Sequence, residues 1–296
     1  MYQSETNNWS YALFSANLYQ YMPNLRWDSH ERIYNKWLRW HDGREASRRK
    51  IFLDHTFSKL SSESGIYILY HLGSHLTAPI ALAEQGLKFD IILDRHVYIK
   101  SESLFLEMRE HLNSAGEYYT FYFSDEPGLL LRCRKSFAEG RSILIFADGA
   151  SGTSSTLKDR RVGIKFFQNI LHVKSGIAVM SFLFDVPLHL ILPKISDISI
   201  LTVNQRIVKK KNEKRDDYVK RSLESVYSVL EERLTLEPWL WECWSYLHLN
   251  GMLYLDEVPV DKKINESLII LPLKGKYYMF DRRYFIAQYL NLKISK

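Results

Sequence analysis

The chain has 296 residues, 46% of them hydrophobic and 25% charged, enough to bury a large core and too apolar to stay disordered. Its two cysteines, Cys133 and Cys243, lie far apart and exclude a disulfide framework or a cysteine-rich metal site. A net charge of +6 points to an acidic partner without choosing among nucleic acid, anionic lipid and an acidic carrier protein.

No nucleic-acid reading module accompanies that charge, which sets nucleic acid aside. The most apolar region, 176–193, is interrupted by Asp185, Pro187 and His189 and falls short of a bilayer span. The first residues show neither a basic start nor an apolar run, so no signal peptide is expected. The expected location is cytoplasmic, with peripheral contact at the inner membrane left open.

Residues 7–40 hold Trp9, Trp27, Trp37 and Trp40 among Tyr11, Phe14, Tyr19, Tyr21 and Tyr34. Pro23 and Asn24 divide them into two predicted helices, 11–21 and 29–41, the second capped by Asp28 or Ser29. Charges at Asp28, Glu31, Arg32, Lys36 and Arg39 rule out a membrane-spanning helix. The aromatics are expected to pack on the core, with a surface-lying interfacial segment as the alternative. Residues 41–64 read as a polar connection containing a basic helix over 44–59.

Residues 66–70, Ile-Tyr-Ile-Leu-Tyr, form an uncharged run that reads as a short buried strand. Gly73 and Ser74 break it, and a helix follows over 79–86. His71 and His75 therefore fall where a strand hands over to a helix, the place where open α/β sheets bind ligands. A strand over 89–93 is closed by Asp94-Arg95-His96. Next come a helix over 101–115, a strand over 118–123, a helix over 128–139 and a strand over 142–147. A helix over 177–184 and a strand over 187–193 complete the alternation, which predicts a mainly parallel or mixed central sheet flanked by helices.

The basic run Arg206, Lys209, Lys210, Lys211, Lys214, Arg215, Lys220 and Arg221 reads as a solvated turn leading into a helix, with docking of an acidic carrier as the minority reading. Val219, Leu223, Val226, Val229 and Leu230 give the helix over 218–234 one apolar side. Trp239, Trp241 and Trp244 follow, so tryptophan is confined to the two flanks. Both flanks are expected to pack together over one edge. The tail predicts a small β-hairpin over 268–280 and a terminal helix over 284–290, dividing the chain into residues 1–250 and a β/α extension, 251–296.

Two handovers carry the chemistry, His71-Leu-Gly-Ser-His75 and Asp148-Gly-Ala-Ser151, each following an apolar strand. As a metal pair the two histidines lack the glutamate of a metalloprotease helix and have Gly73 between them. Residues 148–153 resemble a nucleophile turn, but the second glycine comes one residue too early. The same loop lacks the lysine of a phosphate-binding P-loop.

The order of these motifs resembles the lysophospholipid acyltransferase superfamily, in particular its lipid A biosynthesis acyltransferase-like branch. The family's first block is a histidine followed after four residues by a carboxylate; His71 to Leu76 is similar, with Leu76 in the carboxylate's place. Phe146-Ala-Asp-Gly-Ala-Ser151 resembles the block Phe-Pro-Glu-Gly-Thr-Arg, and the strand begun by Pro187 resembles the fourth block. Phe166-Phe167, Ser175-Gly-Ile-Ala178 and Pro238-Trp-Leu-Trp241 are similar to further features of the branch.

The resemblance covers about 60–245. It implies a glycerol-phosphate-acyltransferase-like α/β fold and acyl transfer from a carrier-protein or coenzyme A thioester to an amine or hydroxyl, with no bound cofactor. His71 takes the position of the general base. His75, Asp148 or Asp94 would replace the missing carboxylate, and Asp148 is preferred because the two handovers should face each other across an acyl-sized cavity. Gly73, Ser74, Gly149 and Ser151 are the expected substrate contacts, with Gly149 and Gly152 supplying backbone geometry for an oxyanion site. Ser151 stands where the family carries a phosphate-gripping arginine, so Lys174 or Lys158 is expected to supply a cation. The expected acceptor is soluble or carrier-bound, and the acidic partner an acyl or peptidyl carrier protein. The competing reading is a homologue that binds such a carrier without chemistry, which Leu76 favours.

Overall fold

A computed structural model of the chain describes residues 2–41, 50–73, 75–114, 119–148, 161–195, 197–248 and 266–290. Its organising strand is β2 (Ile66–Leu69), buried at all four positions. Because side chains alternate across a strand, Ile66 and Ile68 enter one core while Tyr67 and Leu69 enter another on the opposite face. A strand covered on both faces reads as a continuous apolar run.

Around β2 the chain builds a seven-stranded sheet from β1 (Phe52–Leu53), β3 (Phe89–Leu93), β4 (Phe121–Phe123), β5 (Ser142–Phe146), β8 (Leu188–Pro193) and β9 (Ile200–Ile207), in the order β1-β9-β8-β2-β5-β3-β4. Every pairing is parallel except β8 with β9. One face is covered by α3 (Ala78–Glu84) and α5 (Glu102–Ser114), through Leu82, Met108 and Leu112. The other is covered by α1 (Tyr2–Tyr21), α2 (Trp27–Trp40), α7 (Gly176–Phe184) and α8 (Arg215–Leu236). The five apolar residues expected to line one side of α8 are all buried. The short α4 (Arg95–Lys100) follows β3, and α6 (Leu129–Ala138) precedes β5.

Several expectations are corrected. Within 44–59, the described residues form β1 and part of a 3-10 helix, His55–Ser62, instead of a basic α-helix; the rest lies outside the described residues. Among its described residues the extension holds strands and turns only: its expected terminal helix is a turn and a strand, β12 (Ile286–Leu290), paired antiparallel with β11 (Lys276–Asp281), which pairs antiparallel with β10 (Leu268–Leu273) on its other side. This small sheet docks on α1, where the Trp9 indole donates to Pro272 O and buried Arg282 reaches Ser15. A hairpin of β6 (Arg161–Phe166) and β7 (Asn169–Lys174), absent from the sequence expectation, packs Ile164 and Phe166 into the core. The two tryptophan flanks do pack together, with Trp37 donating to Trp241 O, but at the carboxyl end of central β2 and not over a sheet edge. Among the described residues no helix is long and apolar enough to cross a membrane.

Candidate active site

Beyond Leu69 the chain turns tightly at His71, with Leu72 N donating to Tyr70 O at 2.7 Å, and is gripped from outside the sheet. Tyr70 donates its hydroxyl to Val226 O at 2.6 Å, tying the strand's end to α8. Leu72 then pairs antiparallel with Trp241, Gly73 N donates to Leu240 O at 3.0 Å and Glu242 N donates to His71 O at 3.0 Å. Gly73 has φ of +54°, a left-handed conformation that glycine adopts without the Cβ penalty. Residues 71–73 and 240–242 thus form a short ribbon that holds His71 from both sides.

The neighbouring strand delivers the partner. Ala147 N donates to Leu69 O, and Tyr227 donates its hydroxyl to Ala147 O at 2.8 Å, so β5 ends in register with β2. The next residue, Asp148, is fully buried and meets three N–H donors and, at 3.7 Å from Oδ2, the Cys243 thiol. His71 Nδ1 lies 2.8 Å from Oδ1, while His71 N at 2.9 Å and Trp241 Nε1 at 2.7 Å both donate to Oδ2. These bonds and the His71 charge outweigh the burial that works to raise its pKa, and hold Asp148 below the ordinary carboxylate value. An ionised carboxylate only accepts, so Nδ1 carries the proton and Nε2 of the neutral ring is the basic atom. Burial works to lower the His71 pKa, but the Asp148 charge and bond, helped by Glu242, raise it. The His71 side chain keeps 24% of its exposure.

His75, Asp94 and Lys174 take other places. His75 is buried in a turn before α3, its Nε2 3.3 Å from Glu242 and its ring 5.0 Å from that of His71, with Phe146 against both rings. Burial and the His71 and His41 charges drive its pKa well below the ordinary value, so it is a neutral packing partner, and Asp148 orients His71. Asp94 is used locally, accepting from His96 N and Val97 N as the cap of α4. Lys174 ends β7 opposite Arg161. Gly73 shapes the ribbon, whereas Ser74, Gly149, Ser151, Gly152 and Lys158 lie outside the described residues.

The apolar space found among the described residues beside the site is too small for the expected acyl chain. The apolar space beside the site is lined by Leu69, Leu72, His75, Ile191 and Leu201 and measures about 10 Å³, room for a single water. His71, Asp148 and Cys243 place a nitrogen, an oxygen and a sulfur within 4.8 Å of one another, a spacing that a metal ion accepts. Burial beside Asp148 pushes the Cys243 thiol well up, so a metal would have to expel both the thiol proton and the Nδ1 proton.

Trp241, Tyr227 and Glu242 belong to the site and were not singled out as site residues from sequence. The one available signal was a tryptophan cluster whose indole N–H groups need buried acceptors. Compared with known proteins, no family model matches this chain and no curated protein matches it either.

Proposed function

We propose that the chain is an acyltransferase with a glycerol-phosphate-acyltransferase-like fold, moving an acyl group from a carrier-protein or coenzyme A thioester to an amine or hydroxyl acceptor. The observation that carries this reading is the His71–Asp148 dyad at the carboxyl ends of adjacent parallel strands, with Nε2 as its basic atom. Nε2 takes the acceptor's proton as its nitrogen or oxygen attacks the thioester carbonyl. Collapse of the tetrahedral intermediate breaks the C–S bond, and the imidazolium returns the proton to the departing thiolate. Asp148 holds the productive tautomer and stabilises the imidazolium, the part an aspartate plays in hydrolase triads. The carboxylate lost at Leu76 is thereby supplied from the next strand.

A binding protein without turnover is the second reading, favoured by the 10 Å³ cavity. Mass spectrometry of the protein incubated with a panel of carrier and coenzyme A thioesters and with amine and hydroxyl acceptors separates the two. Acyl transfer in the wild type, lost in His71→Ala, is the expected result. Product unaffected by His71→Ala, or thioester binding with no product across the panel, would overturn the reading.

A further inference from the structure

The ribbon that holds His71 also brings up a second carboxylate. Glu242 N donates to His71 O at 3.0 Å, and the Glu242 side chain reaches the neighbouring ring, its Oε2 3.3 Å from His75 Nε2. The His75 ring stands 5.0 Å from that of His71, and the Glu242 and His71 charges are near enough for each to move the other's titration. Asp148 is sealed from solvent, whereas Glu242 keeps 36% of its side-chain exposure and His71 keeps 24%. Base and carboxylate thus meet an incoming molecule together.

A partly exposed acid is unremarkable where a lysine or arginine neutralises it. Here none does. Among the described residues the one ion contact of Glu242 is His75, which burial and the charges of His71 and His41 keep neutral. Asp148 is bonded to His71, Trp241 and Cys243, and no lysine or arginine among the described residues touches it. With His71 neutral and able to act as a base, the centre holds two carboxylates, Asp148 and Glu242, without such a partner. A centre of this charge repels a phosphate or carboxylate and attracts a cation.

The cation that suits the reaction is the acceptor itself. An amine of pKa ~10 is an ammonium ion at neutral pH and has no electron pair to attack with. It gives up one proton before it attacks a thioester and a second as the amide forms, whereas a hydroxyl gives up one only. Two proton acceptors side by side are needed for an amine and are one too many for a hydroxyl. Burial raises the Glu242 pKa above the ordinary carboxylate value, against the His71 charge and with help from that of Asp148, which fits it to take the first proton.

We propose that Glu242 binds the acceptor as an ammonium ion beside His71, so that the acceptor is a primary amine. This rests on the acyl-transfer reading and narrows it. One ammonium proton passes to the Glu242 carboxylate and frees the nitrogen's electron pair, which attacks the thioester carbonyl. His71 Nε2 takes a second proton from that nitrogen as the C–N bond forms, the C–S bond breaks, and the imidazolium delivers its proton to the thiolate. The products are an amide and a thiol, and Glu242 returns its proton to solvent.

Two measurements on the full chain test it, with propylamine and propanol as probes. In the first, each is titrated against the protein while the ¹⁵N imidazole signals of His71 are followed. Propylammonium should shift them saturably and propanol should not; the shift should vanish in Glu242→Gln and survive in Glu242→Asp, with both variants keeping the wild-type Tm. In the second, acyl transfer from carrier and coenzyme A thioesters should favour propylamine, and Glu242→Gln should lower the amine-to-hydroxyl ratio of kcat/KM about tenfold, the worth of one charged hydrogen bond. No saturable shift, the same shift in Glu242→Gln, or an unchanged ratio in that variant would overturn the assignment. Transfer to propanol without propylammonium binding would refute it and leave the proposed function standing, whereas propylammonium binding without transfer to either probe would keep the ammonium site and refute the acyl-transfer reading.

Discussion

Replacing Asp148 by asparagine keeps the side chain's volume and removes its charge. The carboxylate receives two N–H donors and the weak Cys243 thiol on Oδ2 and one N–H donor on Oδ1. The amide oxygen retains the most bonds by taking the Oδ2 place, which turns its NH2 group toward His71 Nδ1. That nitrogen must then accept, so the proton moves to Nε2 and the basic atom is lost. Three charge-assisted bonds become neutral ones or vanish, each change worth about 1 kcal/mol, which gives about 3 kcal/mol, the lower end of the cost of breaking a buried pair. Unfolding a chain of this length carries an entropy of roughly 0.6 kcal/mol per degree, so Tm should fall by about 5 °C in calorimetry at pH 8. A fall under about 1 °C would show that the buried carboxylate is not held as described.

Acid should destabilise the fold through His30 and His189, both pushed down to about 4 from an ordinary 6.5, chiefly by burial. Below 6.5 the unfolded chain binds protons that the folded chain refuses, so each histidine lowers stability by about 1.4 kcal/mol per pH unit until 4 is reached. Urea titrations between those limits should show the combined slope of these two and of His75, whose pKa burial also drives well below the ordinary value, and His189→Leu should remove about 1.4 kcal/mol per pH unit of it; an unchanged slope would contradict the assignment. For His71 the sign is opposite: its raised pKa contributes stability that is full below 6.5 and is lost as pH rises through the folded value. Asp90→Asn should cost about 3–5 kcal/mol in urea unfolding, because the buried Asp90 carboxylate accepts two bonds from Arg141 and others from Ser136, Tyr122 and Thr120 N. A loss below about 1 kcal/mol would contradict it.

The strands that position the dyad were legible because they are buried. Ile66–Leu69 and Ser142–Phe146 sit at the centre of the sheet and show as uncharged runs, and their handovers marked His71 and Asp148. Strand β9 was missed because Thr202, Asn204, Gln205 and Arg206 break its apolar pattern on a strand with exposed positions. Hairpin β6–β7 alternates buried Ile164 and Phe166 with exposed Gly163 and Lys165, a signal passed over in favour of the phenylalanine pair. The last strand, Ile286–Leu290, is exposed almost throughout, so no buried face told its period from a helix's. Trp241 reaches Asp148 from 93 residues away, a contact made by the ribbon at 71–73 and 240–242 and carried by no local pattern.

The central claim, that Asp148 holds His71 with Nε2 basic, is tested most directly by a pH titration of the ¹⁵N imidazole signals, His71 being assigned by their loss in His71→Gln. The account predicts an alkaline form protonated on Nδ1 with a pKa above 6.5, and in Asp148→Asn a form protonated on Nε2 with a pKa below 6.5. An Nε2-protonated ring in the wild type, or a wild-type pKa below 6.5, would contradict it.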